Sequence, residues 1–249
     1  MCYPVRCSRR NNKRDINIFY TNAQSIVNKI CDLHLLLSET FYDIIAITES
    51  WLNEEIVKKV ILDIPGYRVF RTDRRHHANF NRGGGVLMYV HESLKAIELS
   101  FSTQNDLRGL ECESVWCTIT TKNSSVQYIV GCIYRPPNSS RLNTEYLFDQ
   151  IRDVCLAHKN SKVIALGDFN FPNINWSMNI FPTNSTELKS LIDDCLFEQH
   201  VLQPTRYLNI LDLVLTRCIN ASEININYLP PLGKSDHACL KVNIAINNP

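Results

Sequence analysis

Two short runs of apolar residues constrain the fold of this chain more than any other feature. Residues 43–48 (DIIAIT) and 162–166 (KVIAL) are almost continuously apolar, and polar residues follow each run closely. Runs of this length are typical of strands that are buried on both faces, because a strand with one wet face alternates apolar and polar residues. The chain therefore contains sheet that is covered on both sides, which predicts an α/β fold.

The rest of the pattern predicts strands that are joined mainly by hairpins. Residues 112–120 and 126–134 are β-rich runs on either side of the polar turn KNSS. Further strands are predicted at 15–21, 67–71, 85–90, 210–216, 224–227 and 238–246, and helices at 25–38, 143–158 and 185–199, the last capped by Ser185 or Thr186. Because hairpins outnumber helical crossovers, we expect two mixed sheets packed face to face with helices outside, and not a Rossmann or TIM arrangement. The similar endings DIIAITE and KVIALGD suggest a duplicated half.

The length of 249 residues allows one large domain or two small ones. Since the chain has no low-complexity segment or linker, we expect one domain over residues 15–249. Residues 1–14 contain five basic residues and no acid, and the rest of the chain is slightly acidic. Such a leader can contact nucleic acid or direct nuclear import, or it can be a flexible, solvated segment.

Several classes of protein are excluded by composition. No apolar run approaches the about 18–20 residues that a membrane span needs, and the N-terminus lacks the apolar core of a secretory signal. The ten cysteines include no CxxC pair, which argues against a zinc site. We therefore expect reduced cysteines and no membrane partner.

Polar side chains that could take part in catalysis or binding lie where the predicted strands meet loops. They are Asn22, Glu49, Tyr134, Asp168, Asn170, Asp212, Asp236 and His237. If these strand ends share one face of a two-sheet sandwich, the side chains converge on one pocket. Each residue taken singly also has an ordinary structural explanation, such as a helix cap, a turn or an ion pair.

Phosphodiester hydrolysis has a use for each of these residue types. Carboxylates hold Mg²⁺, an Asp beside a water can take its proton, and a His backed by a carboxylate can stabilise a charged phosphate. Asp212 is informative because a carboxylate within an apolar strand is costly unless it is paired, and His237 is an available partner. A serine-hydrolase triad is disfavoured, since the sequence has no GxSxG elbow.

A basic stretch offers contacts to a polyanion. Its members are Arg68, Arg71, Arg74, Arg75, His76, His77 and Arg82. This stretch can bind phosphates or can be a solvated loop. Arg135 and Arg206 lie beside the predicted site loops, where they could hold the strand that flanks a cleavage point. Target choice is expected to depend on groove shape and flexible steps, since no recognition helix is evident.

Eight segments occur in a fixed order along the chain: NAQSIVNK, TESWL, RGGGVLMYV, YRPPNS, GDFNFPNINW, HVLQPTR, ILDLVLTR and PLGKSDHACL. This ordered combination resembles the endonuclease/exonuclease/phosphatase superfamily, which includes deoxyribonuclease I and the apurinic/apyrimidinic endonucleases. The sequences of the segments are similar to the endonuclease domain of non-LTR (LINE-type, jockey-like) retrotransposons, and the resemblance covers about residues 15–246.

This resemblance implies a four-layer α/β sandwich and Mg²⁺-dependent nicking of double-stranded DNA, with Mn²⁺ as a possible substitute. It implies Glu49 as the principal metal ligand and Asp236 as a second acid near the metal. Asp168 would align or deprotonate water with Asn170 beside it, and His237, oriented by Asp212, would contact the scissile phosphate. Tyr134 and Asn22 would touch the phosphate, and DNA contacts would come from Asn138, Arg135, Arg82 and Arg206. One departure is Gln24, where repair endonucleases often carry Asp, so activity at abasic sites and a second metal position are open.

The resemblance also implies a biological setting. Cleavage would leave a 3′-hydroxyl that primes reverse transcription, the parent polyprotein would carry a reverse transcriptase domain, and the chain would act as a monomer in the nucleus. Two alternatives stay open at the level of sequence. One is a phosphatase or phosphodiesterase of the same superfamily acting on small phosphoesters, and the other is a non-catalytic DNA- or protein-binding remnant of a retroelement.

Overall fold

The computed structural model describes residues 15–57, 63–74, 83–101, 112–121 and 126–246. The predicted basic leader, the KNSS turn and Arg75–Arg82 of the basic stretch lie outside the described residues. The strands are β1 (Ile16–Asn22), β2 (Ile44–Thr48), β3 (Tyr67–Thr72), β4 (Val86–His91), β5 (Leu94–Glu98), β6 (Glu113–Thr121), β7 (Gln127–Tyr134), β8 (Lys162–Asp168), β9 (Glu198–Gln199), β10 (Asp212–Arg217), β11 (Ile224–Leu229) and β12 (Cys239–Ile244). The helices are α1 (Ile30–Glu39), α2 (Glu54–Val57), α3 (Arg141–Ala157) and α4 (Thr186–Cys195).

The strands form two six-stranded sheets with the same internal arrangement. The first has the order β11-β12-β1-β2-β4-β3, and the second has the order β5-β6-β7-β8-β10-β9. In each sheet the third and fourth strands are parallel and all other neighbours are antiparallel. β2 and β8, whose endings resemble each other in sequence, occupy equivalent places in the two sheets. The topology therefore agrees with the suggested duplication.

The alternation of side chains along β2 shows how the layers are built. Ile44 and Ala46 point into the core between the two sheets, whereas Ile45 and Ile47 pack on the opposite face with Leu33 of α1. The outer face of the second sheet is covered in the same way by apolar residues of α3 and α4. The predicted α/β class and its four layers, with two packed mixed sheets between helices, are confirmed.

All three predicted helices are present, but two of them differ from the prediction by four or five residues at one end. The helix expected over 25–38 begins only at Ile30, because the preceding loop pairs its backbone amides with the carbonyls of Glu49 and Ser50. The helix expected over 185–199 ends at Cys195, where Leu196 turns left-handed, and β9 follows. Ser185 occupies the predicted N-cap position of α4, but its hydroxyl makes no capping hydrogen bond, because it donates to the carbonyl of Pro182.

The helices of the described part are short or amphipathic. None of them is long and apolar enough to cross a bilayer.

Candidate active site

The central strands of both sheets end at one edge of the sandwich. In the first sheet Asn22 is in register with the last residue of β2, so Glu49 follows directly beside it. In the second sheet Tyr134 and Asp168 are in register at the ends of β7 and β8, and Asp212 begins β10 opposite Asp168. The Asn22 Nδ2 donates to Asp168 Oδ2 at 2.8 Å, and this bond joins the two sheets at the edge where the functional side chains collect.

His237 and Asp212 form a buried pair. The His237 ring is 1% exposed, and its Nδ1 lies 2.7 Å from Asp212 Oδ2. Because a carboxylate only accepts, Nδ1 carries the proton and Nε2 is directed away from Asp212. Burial lowers the pKa of His237, but the Asp212 carboxylate, followed by Asp168 and Asp236, outweighs burial and raises it above the ordinary value. The imidazole is thus held in one orientation and favoured in its charged form.

Tyr20 is a member of this pair's network that the sequence reasoning missed. It is fully buried on β1, and its hydroxyl donates to Asp212 Oδ1 at 2.5 Å, so both oxygens of Asp212 are engaged. The same hydroxyl lies 3.1 Å from Thr48 Oγ1. Sequence alone gave no signal for this role, since a tyrosine within an apolar strand reads as an ordinary core residue.

Asp168 is held by neutral donors from both sides. Besides Asn22, the backbone N–H of Asn170 donates to Asp168 Oδ1 at 3.1 Å, and the Asn170 side chain donates to the carbonyl of Arg135. Asn170 adopts a left-handed φ of 53°, which Asn tolerates better than most residues. Gly167 allows this corner to form, because a Cβ there would lie 1.8 Å from the Ile133 carbonyl oxygen.

The electrostatic environment makes Asp168 a stronger base than an ordinary aspartate. Burial raises its pKa well above the usual range, the neighbouring Asp212 raises it further, and His237 and the Asn22 hydrogen bond offset only part of this effect. A carboxylate with a raised pKa is better matched to taking a proton near neutral pH.

Glu49 reaches the same edge from the other sheet. Its backbone is left-handed, with φ of 54°, and the Gly84 backbone N–H donates to its Oε2 at 2.8 Å. The Trp51 indole also donates to Oε2, and the Tyr134 hydroxyl donates to Oε1. Since Tyr134 is in register with Asp168, it connects Glu49 to the carboxylates of the second sheet.

Arg74 lies beside this group and is not simply part of a solvated basic loop. Its guanidinium forms two hydrogen bonds to Glu113, at 2.5 and 3.2 Å, and lies 5.5 Å from the centroid of the Tyr134 ring. Gly84 makes room for it, because a Cβ there would lie 2.3 Å from the Arg74 Cζ. Burial raises the pKa of Glu113 to about 7, despite the opposing effect of Arg74. Glu113 carries the same signal as Asp212, a carboxylate within an apolar strand, and the sequence reasoning overlooked it.

Asp236 lies next to His237, but other groups already occupy its carboxylate. Gln24 Nε2 donates to Oδ1 at 2.6 Å, and Arg206 donates two hydrogen bonds to Oδ2 at 2.8 and 2.9 Å. Burial alone would raise the pKa of Asp236, but the Arg206 hydrogen bonds and charge outweigh it and lower the pKa. The distance from Oδ1 to His237 Nε2 is 3.8 Å. This arrangement favours an ion pair at the rim over a metal ligand.

The remaining predicted contact residues that the structure describes make no side-chain hydrogen bond to Glu49, Asp168, Asp212 or His237. Arg135 is buried, and its guanidinium donates to Thr144 and to the backbone carbonyls of Phe169 and Asn170, so it supports the site loops from within. Asn138 is exposed in the turn between β7 and α3. Arg82 lies outside the described residues. Two further members of the basic stretch are engaged locally, Arg68 with the Ala96 carbonyl and Arg71 with Asp73.

Comparison with known proteins extends this geometry. The profile of the family described as "Endonuclease-reverse transcriptase" matches residues 128–240, slightly under half of the chain. The solved structure of the endonuclease domain of TRAS1, a telomere-specific non-LTR retrotransposon, superposes with a TM-score of 0.71 at 16% identity, covering 93% of this chain and 98% of that one. The AP endonuclease LMAP from Leishmania major superposes with a TM-score of 0.73 at 14% identity, covering 94% of this chain and 89% of that one.

This chain has the endonuclease/exonuclease/phosphatase fold. The resemblance to retrotransposon endonucleases, expected from the sequence motifs, is confirmed. The human Nocturnin catalytic domain also superposes, with a TM-score of 0.60 at 13% identity over 92% of this chain and 93% of that one. A fold by itself does not determine the substrate. No curated protein sequence matches the chain.

The donor atoms of this candidate site fit a hard divalent cation. Among the described residues, Arg206 pairs with Asp236 and Arg74 with Glu113, and His237 pairs with Asp212, which leaves Glu49 and Asp168 without a salt bridge. Such an excess of carboxylate oxygen is what Mg²⁺ prefers. Asp168, Asp212 and His237 have ligand atoms within 4.8 Å of one another, but both Asp212 oxygens are already hydrogen-bonded. Glu49 offers about four lone pairs, of which Trp51, Gly84 and Tyr134 use three, so one on Oε1 remains.

Proposed function

We propose that this chain is a metal-dependent endonuclease that uses Mg²⁺, or Mn²⁺ in its place, to nick double-stranded DNA. The nick would leave a 3′-hydroxyl that primes reverse transcription by a second domain of the parent polyprotein. One observation carries the proposal: a buried His237–Asp212 pair, a buried Asp168 and the Glu49 carboxylate meet at one edge of two sheets. These are the parts that water attack on a phosphodiester requires.

Asp168 is proposed to activate the attacking water. Its carboxylate is held in place by Asn22 and Asn170, which leaves it oriented without a compensating positive charge in direct contact. Since its pKa is raised, it can take a proton from water more readily than an exposed aspartate could. The Asn22 Nδ2 carries a second N–H besides the one that it donates to Asp168, and this N–H can donate to a phosphate oxygen.

His237 is proposed to stabilise the phosphate under attack. The Asp212 carboxylate fixes the Nδ1–H and favours the imidazolium, so Nε2–H is available as a charged donor to a phosphate oxygen. The Tyr134 hydroxyl, which donates to Glu49 Oε1, would donate instead to a phosphate oxygen when substrate binds. Glu49 would hold the metal ion, which when bound supplies neutralisation of the charge that develops on the phosphate.

DNA is favoured as the substrate over small phosphoesters. The sequence match is to a family of endonuclease–reverse transcriptase proteins, although the phosphatase alternative shares the fold. The turn next to the Asp236–Arg206 pair exposes Tyr207 and Leu208, at 76% and 90%, a surface that a small soluble ligand would leave uncovered. We further propose that the chain works in the nucleus, as a monomer.

The test is the conversion of supercoiled plasmid to open circles by purified protein, with Mg²⁺ and with EDTA. We expect nicking with Mg²⁺ and none with EDTA, and loss of nicking in His237→Ala. We also expect a DNA polymerase to extend the nicks, because extension requires a 3′-hydroxyl. The matched control is Asp193→Ala, a surface carboxylate on α4. Untouched plasmid together with phosphate release from inositol phosphates would favour the phosphatase, and DNA binding indifferent to Mg²⁺ and to His237 would favour a non-catalytic remnant.

A further inference from the structure

An open cleft of about 500 Å³ lies beside the loop that carries Glu49, and Trp51, two residues after Glu49, is among the residues that line it. One wall is the loop after β1, including Gln24 and Asn28, and the other is formed by Trp51 and α2. Its volume lies within the range of small-molecule binding sites. None of the residues proposed to carry out hydrolysis lines the cleft, so the proposed chemistry gives it no role.

Trp51 connects the cleft to the proposed metal ligand. Its indole N–H donates to Glu49 Oε2, and its backbone N–H donates to the Gly84 carbonyl at 2.9 Å. The side chain is half-buried and lines the cleft. A planar group that stacked on Trp51 would therefore contact a side chain that is itself hydrogen-bonded to the Glu49 carboxylate.

The polar groups around the cleft are engaged in holding its walls. Gln24 exchanges hydrogen bonds with Asp236 through both ends of its amide, and Asn53 accepts from the Ile56 backbone at the start of α2. The Lys29 ammonium donates to three carbonyls of the loop that forms one wall. The cleft thus offers an aromatic side chain and nearby positive charge, and few groups that could read the edge of a base.

We propose that this cleft binds an unstacked nucleobase of the cleaved strand, next to the scissile phosphate, by stacking on Trp51. The inference rests on the proposed endonuclease function and adds a subsite to it. Stacking on an aromatic ring accepts every base, because every base has a π-face. The cleft would therefore select targets by how easily a base unstacks, and bases unstack most easily at mismatched or flexible steps.

The experiment measures equilibrium binding in EDTA, so that its readout does not depend on activity. Duplexes are built on a site that the protein nicks in plasmid, with one of the two flanking positions carrying a paired base, a mismatched base or an abasic residue. The variants are Trp51→Ala, which removes the ring, and Trp51→Phe, which keeps an aromatic face and loses the donor to Glu49. Leu156→Ala is the control, since Leu156 is an exposed apolar residue on α3.

We expect the wild type, Trp51→Phe and Leu156→Ala to bind the mismatched duplex more tightly than the abasic one at one flanking position. Trp51→Ala should reduce that preference by roughly tenfold, the typical effect of removing a stacking aromatic. A preference unchanged in Trp51→Ala, or a wild type with no preference at either position, would overturn the inference while leaving the endonuclease proposal intact. A wild type that binds no duplex DNA would instead remove the proposed function, and this subsite with it.

Discussion

At the scale of single residues, the site is an arrangement of buried charges that constrain one another. Asp212 accepts a hydrogen bond from His237 through one oxygen and from Tyr20 through the other, while Asp168 accepts from the neutral amide of Asn22. In this group the pKa of Asp168 and the pKa of His237 are both raised. The pH dependence of the reaction should therefore report on this group directly.

The first prediction concerns the pH profile of kcat/KM for nicking, measured at saturating Mg²⁺. Asp168 must be ionised and its pKa is raised, so activity should fall at a pH above the ordinary aspartate range as the solution is made acidic. His237 must be protonated and its pKa is also raised, so activity should fall on the alkaline side only above the ordinary histidine range. His237→Gln should lack the alkaline limb, and an identical limb in that variant would refute the assignment.

The second prediction concerns Tyr20 as a positioning residue. Tyr20→Phe removes the hydroxyl that donates to Asp212, a hydrogen bond to a charged group worth roughly 1.5–3 kcal/mol. We expect a lower unfolding free energy of that order and a lower kcat with little change in KM. Tyr128→Phe is the control, because Tyr128 is also buried between the sheets but lies apart from the site. Equal effects of the two variants on kcat would show that Tyr20 is only a core residue.

At the scale of secondary-structure elements, the buried strands were predictable and the irregular joints were not. β2 and β8 follow from continuous apolar runs, and the polar residues after them mark the site because strand ends of one edge collect there. Asp212 was predictable as the partner of His237, since an unpaired carboxylate in an apolar strand is unfavourable. The motifs themselves, rather than periodicity, pointed to the roles of Glu49 and Asp168.

Other features depend on tertiary contacts that local patterns do not contain. Residues 25–29 look helical because Ile26 continues the spacing of Ile30, Leu33 and Leu37, but the backbone amides of this loop donate to the carbonyls of Glu49 and Ser50. The sequence places Arg74 in a basic stretch that could bind DNA, but in the structure it is hydrogen-bonded to Glu113, 39 residues away in sequence. β9 has only two residues and follows from its pairing with β10.

The third prediction tests one of these joints. Leu196 ends α4 in the left-handed conformation, with φ of 55°, and its side chain is 79% exposed. A left-handed residue with a side chain costs roughly 1–2 kcal/mol, which glycine avoids at some entropic cost. Leu196→Gly should therefore raise the free energy of unfolding by about 0.5–1 kcal/mol in urea titrations. Leu202→Gly, at an exposed leucine without left-handed backbone, should lower it or leave it unchanged.

At the scale of the whole molecule, two similar sheets bring their parallel strand pairs to one edge, and each contributes half of the site. The first sheet supplies Asn22 and Glu49, and the second supplies Tyr134, Asp168 and Asp212. A site divided in this way depends on the packing of the sheets against each other. The open edge is also where an extended substrate such as DNA can lie.

The fourth prediction concerns the exposed turn beside Arg206. Leu208 is 90% exposed there, and an apolar side chain at a DNA interface can contact or wedge between bases. Leu208→Ser should weaken duplex binding several-fold in EDTA without changing the thermal midpoint. The control Leu156→Ser changes an equally apolar but separate surface on α3, and similar losses in both variants would contradict a specific contact.

The most direct test of the central claim is the single-turnover nicking rate of three variants that keep a polar side chain without the proposed function, Glu49→Gln, Asp168→Asn and His237→Gln, each with its thermal midpoint measured. Because the three residues are proposed to act on one phosphodiester, each variant should lose about a hundredfold or more in rate while remaining folded. Folded variants that all nick at the wild-type rate would contradict the claim.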